Sequence, residues 1–290
     1  MKKRAIEGVL AVHEPEGEEA PAVFDSPHSG LGIPDDFGTI LSERSLWGGG
    51  VDNFVDELFS DAPAYGGHLL EALYLRSYVD PNRDTDEIDP DLLDGPWPDP
   101  VRPSTRTNLG TGLIWSKDVP NLPLYDRKLS VAEARRRIDR YWKPYQVELA
   151  GLLEAKRQRF GDVYFLDCHS HRAVAPPNMF DREGTSRAEM DLGTLDGTAC
   201  SPEFTDVVRT TLEKCGYQVV VDGDHKGEHL IRHTGDPARG RHAIMLEIRK
   251  DLYMDQDTIS RNNGFDETRA NMAKLAQAIC DFAKNHIRSL

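Results

Sequence analysis

The sequence predicts an α/β fold, and three observations carry that expectation. A capping box at Ser130-Val131-Ala132-Glu133 opens the longest helical pattern, with Val131, Ala134, Ile138, Tyr141, Tyr145, Leu149 and Leu152 on one stripe. An apolar run, Val163 to Leu166, follows it and completes the helix-then-strand unit from which such sheets are built. That run ends in Asp167-Cys168-His169-Ser170-His171, and a second run ends likewise in Asp25-Ser26-Pro27-His28. Ligands of open α/β sheets bind beyond the carboxyl ends of strands, so two strand ends that each deliver a His read as two halves of a metal site.

Taken in order, residues 13–21 form a charged, turn-rich connection, and Ala22 to Asp25 is a short buried strand. After Gly48-Gly49-Gly50, residues 51–59 read as a helix start, with Val51, Val55, Leu58 and Phe59 on one face. His68 to Leu75 is a strand, and the Asp80-Pro81-Asn82-Arg83 loop after it suits an anion. Residues 84–108 hold Pro90, Pro96, Pro98, Pro100 and Pro103, which predicts a long surface excursion near the site. Pro144 should kink the long helix. Residues 191–198 read as a polar loop, 201–215 as a helix and 217–221 as a strand. His229 to Arg232 is a candidate short strand, Ala243 to Arg249 an apolar strand, and 266–286 the closing helix. No repeat or linker interrupts the chain, so residues 1–290 are expected to form one domain.

Composition narrows the function. Charged residues make up 29% and hydrophobic ones 39%, ordinary for a soluble globular protein. A formal charge of −14 argues against a nucleic-acid partner, which needs a basic face. It leaves room for a local basic pocket and an anionic small substrate. No run approaches the ~20 apolar residues that span a bilayer, and Ala5 to Leu10 is too short for a signal segment. The expected location is the cytoplasm. Cys168, Cys200, Cys215 and Cys280 are scattered and read as reduced core thiols. A P-loop, a dinucleotide fingerprint and a G-x-S-x-G elbow are all missing from the sequence.

A hydrolytic zinc ion takes three protein ligands and keeps one position open. His28 and His169 are the candidate imidazoles and Asp52 the candidate carboxylate. Asp52 reads equally as a first-turn helix acid, with Asp56 as the other carboxylate. His171 is an alternative ligand or an outer partner, and His225, His229, His233 and His242 sit in a polar region suited to lining a pocket. Glu247 lies inside an apolar strand, where a carboxylate is either paired with Arg249, two residues on and on the same side, or catalytic. It suits the base that takes a proton from the attacking water, and Arg83 suits the developing oxyanion. Asn82, Arg232 and Arg249 are candidates to hold a substrate carboxylate.

The ordered set Ser-Pro-His28-Ser-Gly, Asp52-x-x-x-Asp56-x-Leu, Arg76-Ser, Asn82-Arg83, Thr-Gly-Leu, Leu-Tyr125, Tyr-Trp-x-Pro-Tyr145, Asp-x-His169-Ser, Leu-Gly-Thr, Lys226-Gly, Arg232-His-x-Gly and Glu247…Tyr253-Met-Asp resembles the N-formylglutamate amidohydrolase family over residues 22–256. The resemblance implies a hydrolase-like, zinc-carboxypeptidase-like α/β fold, with a mixed twisted sheet and helices on both faces. It implies zinc-assisted hydrolysis of N-formyl-L-glutamate to glutamate and formate, the last step of one histidine degradation route. His28 and His169 would be ligands, Glu247 the base and Asn82-Arg83 a substrate clamp, with Arg76 and Lys226 added to the substrate-binding set. Two departures stand out. Leu31 occupies the third position after His28, where a ligand Glu is usual, which turns attention to Asp52. Asp224 and Glu228 stand where the family often has Arg and Gly, which opens the alternative of a less acidic N-acyl substrate.

Overall fold

The computed structural model describes residues 2–119, 121–175 and 184–287. Eight strands form one mixed sheet: β1 (Lys3–Ile6), β2 (Leu10–His13), β3 (Ala22–Ser26), β4 (His68–Ala72), β5 (Val163–His171), β6 (Met190–Gly193), β7 (Val219–Val221) and β8 (Arg241–Arg249). Their order is β1-β2-β4-β3-β5-β8-β6-β7. The central four, β4-β3-β5-β8, run parallel, while β2 against β4 and β6 against β8 are antiparallel. The chain leaves β3 for β4 on one side and returns to β5 on the other. The strand order therefore reverses between β3 and β5, the switch point where α/β sheets open a crevice.

Period-2 alternation divides the strands between two cores. Val23, Phe165, Ala243 and Met245 pack on one face with Ala134, Ile138, Tyr145, Leu149 and Leu152. These come from α4 (Val131–Arg137) and α5 (Lys143–Phe160) and the turn between them. Phe24, Leu166, Cys168, Ile244 and Leu246 pack on the other face, against α6 (Pro202–Lys214) and α8 (Phe265–Asn285). The expected mixed sheet with helices on both faces is present.

The long helix changes its hydrogen-bond pattern just before Pro144. A π-helical stretch, Ile138–Trp142, separates α4 from α5, and Pro144, which has no N–H to give, is the second residue of α5. That junction positions the site. Trp142 Nε1 donates to the Arg83 carbonyl at 3.0 Å and Gln146 Nε2 to the Pro81 carbonyl at 2.7 Å. Arg137, wholly buried, donates to the Tyr78 and Phe37 carbonyls and the Tyr125 hydroxyl. The Tyr145 hydroxyl donates to Asp25.

Several local expectations are corrected. Residues 190–193 are a buried strand, because Met190 and Leu192 fill the core while Asp191 and Gly193 face the other way. His229 to Arg232 is helical, within α7 (His229–Thr234), whose Leu230, Ile231 and Thr234 share a buried face. The 84–108 excursion buries Ile88, Leu92 and Leu93 and contains α3 (Thr105–Leu109), so it contributes to the core as well as the surface. After α1 (Glu43–Gly48), only α2 (Val55–Leu58) of the 51–59 segment is helical, since Phe54 is left-handed at φ 67°. Asp52 precedes that turn and is not its cap. Among the described residues no helix is long and apolar enough to cross a membrane.

Candidate active site

His169 lies on β5 itself, which runs five residues beyond the end of the expected apolar run at Leu166, to His171. Alternation sends Cys168 into the core and Asp167, His169 and His171 to the opposite side. Glu247 of β8 is the register partner of His169, and Asp191 of β6 is the partner of Glu247. Three polar side chains therefore stand in one row across adjacent strands.

His28 arrives from the loop after β3. That loop lies flat on residues 73–74, where a Cβ on Gly30 would sit 2.5 Å from the Tyr74 nitrogen, so only glycine fits. Asp52 is tied to the same loop: its N–H donates to the His28 carbonyl at 3.0 Å, and Ser29 Oγ donates to its carbonyl at 2.9 Å.

His28, Asp52 and His169 converge, each at most 3% exposed. Asp52 Oδ2 lies 3.1 Å from His169 Nδ1 and 3.4 Å from His28 Nδ1. Tetrahedral ligands about 2.1 Å from one ion would be roughly 3.4 Å apart, so the spacing fits a metal such as zinc. Each imidazole is backed on its other nitrogen by a carboxylate. His28 Nε2 is 2.8 Å from Asp80 Oδ1, and His169 Nε2 is 2.7 Å from Asp167 Oδ1. Such pairing orients metal-binding imidazoles, and His28 Nδ1 is buried with no hydrogen-bond partner.

Charges here are set by opposing causes. Burial pushes the Asp52 carboxyl up, but His169, His28 and Lys250 pull it further, to well below the usual range. Burial opposes a proton on His169, yet Asp167 and Asp52 raise its pKa well above the ordinary 6.5. Asp80 is buried and still held low by Arg76, His28 and Arg83. Arg76 donates to its Oδ2 from both Nε and Nη2, at 3.0 and 2.8 Å.

One cavity of about 100 Å³ collects this cluster together with Glu247, Arg76, Asn82, Arg83 and Arg106. Glu247 is 9% exposed, and its Oε2 has no hydrogen-bond partner. His171 and His225 flank it, with ligand atoms of all three within 4.8 Å of one another. Burial drives the His171 pKa down to about 4. Asn82 reaches the cavity but is engaged: Nδ2 donates to Asp167 at 3.1 Å, and Oδ1 accepts from the Leu230 N–H at 2.9 Å. Arg83 donates to the Asn82 and Thr111 carbonyls.

Three of the substrate-binding candidates do not line this cavity. Arg249 shares a side with Glu247, but at the strand exit it turns onto Asp251, Arg187 and Glu189. Lys226 is exposed and pairs with Asp196 at 2.7 Å. Arg232 pairs with Asp84 at 3.2 Å. Asp84 also accepts from His229 and His233, so that trio is a charge cluster outside the cavity, with two guanidiniums already on its carboxylate. Asp56 belongs neither to the His28, Asp52 and His169 group nor to the cavity lining, and burial beside Glu71 pushes its carboxyl up to about 6. Sequence reasoning missed Asp80 as the partner of His28, and Arg106, Arg172, Arg187 and Lys250 as cavity residues. The Arg-Ser-x-x-Asp spacing of 76–80 was the one available signal, since it places Asp80 four residues after Arg76.

A strand-end cavity with this cluster belongs to a hydrolase, and comparison with known proteins specifies which kind. Residues 20–254 match the N-formylglutamate amidohydrolase family. N-formylglutamate deformylase of Pseudomonas putida is 28% identical over 256 residues, 87% of each chain. That of Pseudomonas aeruginosa is 29% identical over 266 residues, 89% of this chain and 92% of its own. The crystal structure of N-formylglutamate amidohydrolase from Ralstonia eutropha JMP134 is 42% identical, covers 97% of this chain and all of its own, and superposes with a TM-score of 0.92. The protein is an amidohydrolase. The chain belongs to the N-formylglutamate amidohydrolase family.

Proposed function

We propose that the protein, as one domain over residues 1–290, is a zinc-dependent deformylase of N-formyl amino acids, with N-formyl-L-glutamate as the leading substrate. The observation that carries this reading is the convergence of His28 Nδ1, Asp52 Oδ2 and His169 Nδ1 beside the unpartnered Glu247 carboxylate. His28, Asp52 and His169 hold the metal, which when bound supplies Lewis-acid charge for the formyl oxygen and acidifies water. Asp80 and Asp167 fix the two imidazoles. Glu247 takes the proton of the attacking water and passes it to the departing amine, so formamide and water become formate and amine. Arg83 places its positive charge at the developing oxyanion. Asn82 positions His169 and the α7 backbone more than it grips substrate, and Arg76 acts through Asp80. Because Glu247 faces the cavity, a purely metal-binding role leaves its position without a purpose.

Metal removal tests the reading. Exhaustive chelation should abolish formate release, and one equivalent of Zn²⁺ should restore it. Uptake should weaken as pH falls. The raised pKa of His169 leaves a proton on the metal-free imidazole at neutral pH, and the metal must displace it. Below that pKa each pH unit should cost about tenfold in apparent affinity, and full turnover by metal-free protein would refute the proposal.

Asp80→Asn should lower zinc affinity by about 10- to 100-fold, measured by competition with a chromogenic chelator, because His28 then loses its anionic partner. An unaltered zinc Kd would show that Asp80 serves only Arg76.

A further inference from the structure

Within the proposed hydrolysis, one acidic side chain of the cavity is left over. Glu228 carries no catalytic role, yet it lines the same wall as Arg83 and Arg106. Arg106 donates to its Oε1 from both Nη2 and Nε, at 2.6 and 3.1 Å. Its Oε2 lies 3.8 Å from Arg83 Nη1 and 3.8 Å from Arg232 Nη1.

The backbone delivers it there. Gly227 has φ +125°, a conformation open to glycine, and turns the chain immediately before Glu228. Glu228 then occupies the N-cap of α7 without making a side-chain cap bond. Its carboxylate is committed to the arginines. Asp191 anchors the preceding turn by accepting from the Gly223 and His225 N–H groups at 3.1 and 2.9 Å. Burial raises the Glu228 carboxyl, but Arg83 and Arg106 pull it further, down to about 2, so the group is charged at any working pH.

An arginine whose Nε and Nη2 both donate to a carboxylate oxygen is an occupied carboxylate site. We propose that Glu228 is a specificity-determining residue: a tethered counter-ion that fills the Arg106 site, backed by Arg83, and disfavours substrates carrying a second carboxylate. Arg172 and Lys250 also line the cavity and set positive charge beside it for the α-carboxylate common to N-formyl amino acids. A second carboxylate has to displace Glu228, which the chain presents at a high effective concentration. Measured against the N-formyl-L-glutamate of the proposed hydrolysis, this residue narrows the advantage of an acidic side chain over an uncharged one. An acidic one reaches Arg106 only when Glu228 swings away.

The experiment rests on the proposed hydrolysis for one readout and is independent of it for the other. Formate release from N-formyl-L-glutamate and N-formyl-L-methionine is measured with zinc-loaded wild type and Glu228→Gln. Gln keeps an acceptor oxygen for Arg106, and Glu228→Ala is the second variant should Gln fail to fold. The ratio of kcat/KM, acidic over neutral substrate, should rise about tenfold. Calorimetric titration with glutarate, a bare dicarboxylate, should give a Kd about tenfold lower in the variant. A ratio that is unchanged or lower overturns the proposal. If neither protein releases formate from either amide, the hydrolytic reading fails. The glutarate isotherms then decide: tighter binding supports the tethered counter-ion, and equal or weaker binding overturns it.

Discussion

His169→Ala is expected to lose its metal and to release formate on the order of 10³-fold more slowly, the factor that an electrophile worth ~4 kcal/mol supplies. The side chain links two carboxylates, Asp52 through Nδ1 and Asp167 through Nε2, and the pair Asp25 and Asp167 lies side by side in register on β3 and β5. Burial and the neighbouring Asp167 already push the Asp25 carboxyl well above its usual range. Without the imidazole, Asp52 and Asp167 lose their shared partner inside a buried site, so zinc is lost together with local charge balance. Zinc content by elemental analysis and formate release by a coupled assay check this. One equivalent of zinc retained, with undiminished turnover, would remove His169 from the site.

Glu247→Gln is expected to give the opposite dissociation of effects. The amide is isosteric and keeps the packing of β8, so zinc should stay near one equivalent and KM should move by no more than about threefold. The proton acceptor is gone, and kcat should fall by about 10²- to 10⁴-fold. This separates a base from a ligand. If Glu247 instead bound the metal with His171 and His225, the variant would lose zinc. Equal kcat in the two proteins would leave the unpartnered Oε2 without a chemical role.

Much of this centre was legible from short-range pattern. His169 and His28 stood out because polar residues end apolar strand runs, and a carboxylate inside Ala243 to Arg249 is costly unless used. The strand at 190–193 was hidden because Asp191 and Gly193 resemble turn residues. Asp191 is in the sheet to anchor the 223–225 turn, and a Cβ on Gly193 would meet the Lys226 carbonyl carbon at 2.7 Å. Arg249 failed as a cavity residue for a related reason. Period 2 gives the side of the sheet, but at the last strand position Asp251 and Glu189 compete for the guanidinium and win it.

Hydrophobic periodicity and ordered motifs were enough to reveal the α/β class, the strand that leads to His28, the strands that bear His169 and Glu247, and the reaction family. The partners came from packing: Asp80 on His28 across 52 residues, Asp52 on His169 across 117, and Glu228 on Arg106 across 122. The physical reason is that a buried charge binds whichever opposite charge packing brings nearest. With 49 acidic and 35 basic residues in the chain, spacing along the sequence cannot rank the contenders.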